Sequence, residues 1–97
     1  MNNTMNKEEI EQTYKKLFEA VRRDNYEEAL RINQLLYEDT YRECNQLLDK
    51  RKKTLSNEEK IRIDRSINLC KTNLEKMVAS AKIIQEINLS KDKNEPQ

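Results

Sequence analysis

The chain has 97 residues, no glycine, and its only proline at position 96, so it lacks the residues that build tight hairpins and phosphate-cradling loops. A hydrophobic fraction of 35% beside a charged fraction of 38% suits thin amphipathic helices in one all-α domain better than a thick core. With 19 Lys and Arg against 18 Asp and Glu, the net charge of +1 gives no field that would favour nucleic acid or an anionic membrane as partner.

Residues 1–6 read as a flexible N-terminus without the apolar core of a signal peptide, which implies a cytoplasmic protein. Asn6, with Glu9 three residues later, marks a capping box, and the first helix is expected over about 7–23. Its apolar positions Ile10, Tyr14, Leu17, Phe18 and Val21 share one face, and Arg22 and Arg23 lie at the negative end of its dipole. Asp24 and Glu27 repeat the cap pattern and open a second helix over about 25–53, closed by Lys50, Arg51, Lys52 and Lys53. Ser56 and Glu59 open a third helix over about 57–88, so that one bundle domain spans 7–89. A polar, disordered tail is expected over 90–97. Glu11 and Lys15, Glu19 and Arg23, Glu27 and Arg31, Glu38 and Arg42, Asp49 and Lys53, and Glu58 and Arg62 each place acid four residues before base, the favourable order on a helix.

Ile63, Ile67, Cys70, Leu74, Met77, Ala81 and Ile84 alternate at spacings of four and three, a coiled-coil seam. The second helix offers Tyr26, Leu30, Asn33, Tyr37, Tyr41, Cys44 and Leu48 as the opposing seam, with the turn centred between Leu55 and Ser56. An antiparallel hairpin then pairs Leu30 with Ala81, Tyr37 with Leu74, Tyr41 with Cys70, Cys44 with Ile67 and Leu48 with Ile63. Asn33 within the seam reads as a device that fixes register. Cys44 and Cys70 fall in neighbouring layers and are expected as free thiols. Ala29, Ile32 and Leu36 broaden the second helix near its start, and Ile83 and Ile87 the third near its end. A short first helix is therefore expected to cover that base, leaving a two-helix arm. The expected fold is an antiparallel hairpin of two long helices with a shorter N-terminal helix on its base, a three-helix bundle.

Without histidine, a glycine-rich loop or a cluster of metal ligands, the chain gives no ground for an enzyme, a metal site or a cofactor. The paired carboxylates Glu27 with Glu28 and Glu58 with Glu59 sit at helix starts, where cap and dipole roles explain them.

The first helix, the turn Arg22 to Leu30 with its Asp24-Asn25-Tyr26-Glu27-Glu28-Ala29-Leu30 core, the long second helix and the capped third helix together resemble the FliT family of flagellar export chaperones over residues 8–89. The resemblance implies a cytoplasmic protein that binds the flagellar filament-cap protein, prevents its premature assembly and delivers it to the export apparatus. Members that carry a further C-terminal helix cover the client surface with it, whereas this sequence continues only to the polar segment Ser90 to Gln97. The same turn is similar to that of MIT-type peptide-binding modules, and a self-associating coiled coil, as a homodimer, is a third reading. Helix-in-groove binding fits the first two, with Ile32, Leu35 and Leu36 on the second helix and Leu69, Ile83 and Ile87 on the third as candidate client-binding residues. For Ile32, Leu36, Ile83 and Ile87 the alternative is simple packing against the first helix.

Overall fold

The computed structural model describes residues 4–93, and every regular element among them is a helix: α1 (Lys7–Arg22), α2 (Tyr26–Lys53) and α3 (Asn57–Lys93). α1 starts on a complete capping box, in which the Glu9 amide donates to Asn6 Oδ1 at 2.8 Å and the Asn6 amide to Glu9 Oε1 at 3.4 Å. At the start of α3 the Glu59 amide donates to Ser56 Oγ at 3.4 Å.

The α1–α2 turn differs from expectation by one residue. Asp24 is not the cap of α2; it closes α1 in the left-handed conformation, φ 58°. Its amide donates to the Val21 carbonyl and that of Asn25 to the Ala20 carbonyl, a Schellman motif that meets two of the helix's open acceptors. Asn25 then caps α2, accepting from the Glu28 amide at 3.3 Å. Small side chains let the two helices meet closely beside this turn, since Ala20 and Ala29 are both buried.

α2 and α3 pack along an antiparallel seam whose register is fixed toward the base, where Asn33 Nδ2 donates to the Met77 carbonyl at 2.9 Å. On α3 the seam is as expected: Ile63, Ile67, Cys70, Met77 and Ile84 are buried, Leu74 and Ala81 half-buried. On α2 the expected seam needs correction beyond Tyr37. Tyr41 is 52% exposed and Leu48 39% exposed, whereas Thr40 and Leu47 are half-buried and Leu47 packs with Cys44, Ile63, Ile67 and Cys70. The seam therefore runs Tyr26, Leu30, Asn33, Tyr37, Thr40, Cys44, Leu47. That alternation of four and three matches the repeat of α3, as two helices sharing one interface require. The expectation of Tyr41 and Leu48 followed side-chain hydrophobicity, and regular spacing overrides it. Both cysteines are free and buried, and burial, with Glu43 and Cys44 nearby, pushes the Cys70 thiol up from its ordinary value.

Leu17 and Ala20 of α1 join Ala29, Ile32 and Leu36 of α2 and Met77 and Ile84 of α3 in one core cluster at the base. Three helices thus share a core, as a three-helix bundle should. The segment before α1 is tied to α2 as well, because the Met5 amide donates to Oδ1 of the buried Asp39 at 2.6 Å. Thr4, Met5 and Ile10 border a shallow depression together with Glu43, Gln46, Leu47 and Lys50. Residues 4–6 are therefore seated on α2 instead of being a free end, while 1–3 lie outside the described residues. The expected disordered tail is corrected in the same way over 90–93, which continue α3. The remainder of that tail lies outside the described residues.

Side-chain ion pairs follow a different pattern from the sequence spacing. Arg31 pairs with Glu28 instead of Glu27, Arg42 approaches the buried Asp39 at 3.9 Å instead of Glu38, and Arg51 crosses to Asp64 of α3 at 2.5 Å. Spacings of three and four both lie on one flank of a helix, so a long guanidinium chooses whichever carboxylate is better held. The Arg31 contact holds the Glu28 carboxyl below its ordinary value, chiefly through the hydrogen bond.

Candidate helix-docking site

The six candidate residues separate into three environments. Ile32 and Leu36 belong to the core shared with α1. They are packing residues, and a partner could not reach them without removing a helix. Leu35, 40% exposed, follows a different direction: one residue from Leu36, it lies about 100° round the helix, on the flank of α1 remote from α3. Leu69, Ile83 and Ile87 are exposed on α3, and α1 does not cover Ile83 or Ile87 as the sequence suggested.

The reason lies in how α1 is placed. No Cα of α1 comes within 8 Å of one in α3 among the described residues, although both helices pack closely on α2. On α2, the residues turned toward α1 are Ala29, Ile32, Leu36 and Asp39, and those turned toward α3 are Leu30, Asn33, Tyr37, Thr40, Cys44 and Leu47. At 100° per residue the centres of these two sets are about 90° apart. A closed three-helix bundle needs about 60°. On this helical-wheel reckoning α1 and α3 flank α2 about 90° apart without touching each other, so the corner between them is left open among the described residues.

Helical geometry also says what faces that corner. α1 and α3 both run antiparallel to α2, and the same 100° step turns Leu69, Lys76, Ile83 and Ile87 to the flank of α3 on the side of α1. It turns Tyr14, Phe18 and Val21 to the flank of α1 on the side of α3. Phe18 is 63% exposed and Ile83 57% exposed, so large apolar side chains border the gap from both walls. Tyr14 and Phe18 lie with ring centroids 6.3 Å apart on the α1 wall. Sequence reasoning assigned Phe18 and Val21 to the buried face of α1 and so missed them as site residues. The available signal was width: Leu17 to Phe18 alone spans about 100°, more than one neighbouring helix covers.

No group of three His, Cys, Asp or Glu side chains among the described residues could hold a metal ion. No helix of the described residues is long and apolar enough to cross a membrane. A solvent-open depression at the far tip gathers Lys50, Glu58, Glu59 and Arg62 beside Leu47 and Ile63. What the molecule offers is an apolar-walled corner of helical length. In comparisons with known proteins, no protein-family model, no curated protein and no solved structure matches the chain.

Proposed function

We propose that this protein is a helix-binding chaperone, acting in the cytoplasm, that receives an amphipathic helix of a partner protein in the vacant corner between α1 and α3. The observation that carries the reading is the set of exposed apolar residues on both walls, Phe18 and Val21 on α1 and Leu69, Ile83 and Ile87 on α3. A fourth helix seated there completes a four-helix arrangement and takes these side chains out of water, in the helix-in-groove mode that needs no chemistry.

The particular client follows from the resemblance to the FliT family: a helical segment of the flagellar filament-cap protein, held before export and passed to the export apparatus. An MIT-type adaptor is the weaker alternative, because those modules have helices of more equal length, whereas these have 16, 28 and 37 residues.

Capture of partners from the source cell, with Leu69→Glu and Leu35→Glu compared, tests the proposal. A flagellar cap protein retained by wild type and by Leu35→Glu but lost by Leu69→Glu supports it, because only Leu69 borders the corner. Equal capture by both variants removes the corner as the binding face. A stable dimer by light scattering that captures no helical client would favour the self-associating reading instead.

A further inference from the structure

Leu69, Lys76 and Ile83 are spaced seven residues apart, so they form one row along α3, each about 10 Å from the next. Around them the flank is poor in charge. Between Ser66 and Ser90 the side chains facing the corner are Ser, Asn, Leu and Ile, with Lys76 the one ionised group, in a chain whose charged fraction is 38%. Depletion of charge is what the centre of a binding surface has. Lys76 is exposed and enters no ion pair among the described residues. A helix seated against Leu69 and Ile83 passes directly over it.

We infer that the helix taken by this corner carries a carboxylate at its centre, seven residues from an apolar anchor on either side, so that the acid meets Lys76 while the anchors meet Leu69 and Ile83. The inference rests on the docking reading given above. Covering Lys76 with an apolar or basic side chain would strip water from its ammonium without replacement, whereas a carboxylate replaces that water. The same feature argues against a second copy as occupant. Antiparallel pairing of two α3 helices, with Leu69 of each against Ile83 of the other, sets the two-fold axis at Lys76 and brings the two ammonium groups together. Because the spacing is symmetric about the centre, the recognition pattern is the same for a client helix running in either direction.

The test uses a labelled synthetic 21-residue helical peptide with an apolar stripe symmetric about its centre and Glu, Gln or Lys at the central position. Binding to the full chain is followed by fluorescence anisotropy. At low salt the Glu peptide is expected to bind about threefold more tightly than the Gln peptide, and the Lys peptide about threefold more weakly. Raising the salt to about 0.5 M should compress both differences. Lys76→Glu should reverse the order, whereas Leu69→Glu should weaken all three peptides. If the three peptides bind wild type equally and Leu69→Glu abolishes binding, the corner is a docking site and the acidic preference is wrong. If the order persists in Lys76→Glu, the charge is read elsewhere and the inference fails. If no peptide binds, or Leu69→Glu changes nothing, the docking reading fails and takes this inference with it.

Discussion

Leu36→Ala and Leu69→Ala remove the same atoms from neighbouring helices and should differ several-fold in cost. Leu36 is 2% exposed and lies where all three helices share a core, so truncation forfeits the transfer free energy of its side chain and leaves a cavity that α1, α2 and α3 would have to move together to fill. That places the cost at about 3–4 kcal/mol, within the range for buried leucines. Against a total stability of about 5–10 kcal/mol for a chain of this length, a third or more of the folding free energy is lost. The melting temperature should fall by roughly 15 °C or more. Leu69 is 64% exposed, so little of its surface is removed from water by folding, and its truncation should cost no more than about 0.5 kcal/mol. Urea denaturation followed by circular dichroism at 222 nm measures both, with unchanged slope as the check that unfolding remains two-state. A cost below about 1 kcal/mol for Leu36→Ala, or above about 2 kcal/mol for Leu69→Ala, would refute the division between core and exposed flank. In the same pair, affinity for a helical client should respond in the opposite sense, falling for Leu69→Ala at full stability.

Asp24→Gly should stabilise the protein by about 0.5 kcal/mol, since glycine relieves the left-handed strain while losing the Tyr26 hydroxyl bond to Asp24, 2.8 Å long and exposed; a loss of stability would show that bond to be the larger effect. Asp39→Ala should cost about 1–2 kcal/mol and speed hydrogen exchange at residues 5–13 selectively, because the Met5 amide loses its acceptor; uniform exchange across all helices would contradict a local anchor. Asn33→Leu should keep or raise the melting temperature yet broaden the register of the α2–α3 seam, read as extra resonances or altered oligomer state, because it removes the bond to Met77 that specifies one alignment. The Cys70 thiol, raised above its ordinary value of 9.0, contributes stability that is complete below that pH and is lost as pH rises through the folded value; the gap in urea midpoint between wild type and the less stable Cys70→Ala should therefore be constant near pH 8 and narrow toward pH 10.5.

Much of the fold is written locally in this chain. The absence of glycine and the cap at Asn6 belong to segments a few residues long, and α3 announces its buried row by strict alternation of four and three. Such features depend on chain stereochemistry and nearest neighbours, so they can be read before any packing is known. On α2 the reading failed where two helices compete for one surface. Ala29, Ile32, Leu36 and Asp39 serve α1 while the Leu30 to Leu47 row serves α3, and a sequence shows only that the combined stripe is wide. Asp39 illustrates the difficulty, because the hydrogen bond its buried carboxylate accepts comes from the Met5 amide, 34 residues away in the chain, with Arg42 at 3.9 Å beside it.

The candidate site was legible in the same partial way. Leu69, Ile83 and Ile87 were already apolar positions off the seam, but nothing in the sequence separates an exposed leucine from one that a third helix covers. That distinction is set by where α1 and α3 pack on α2: they do not touch each other, and a helical wheel puts their packing directions about 90° apart where 60° would close the bundle. Sequence alone therefore determined that this protein is a set of long amphipathic helices with a hairpin register, because periodicity and capping are local physics. Only the tertiary structure decided that Ile32 and Leu36 are core, that Leu35 stands apart, and that Phe18, Ile83 and Ile87 stay exposed. Burial is a property of where other helices stand, and no residue carries it alone.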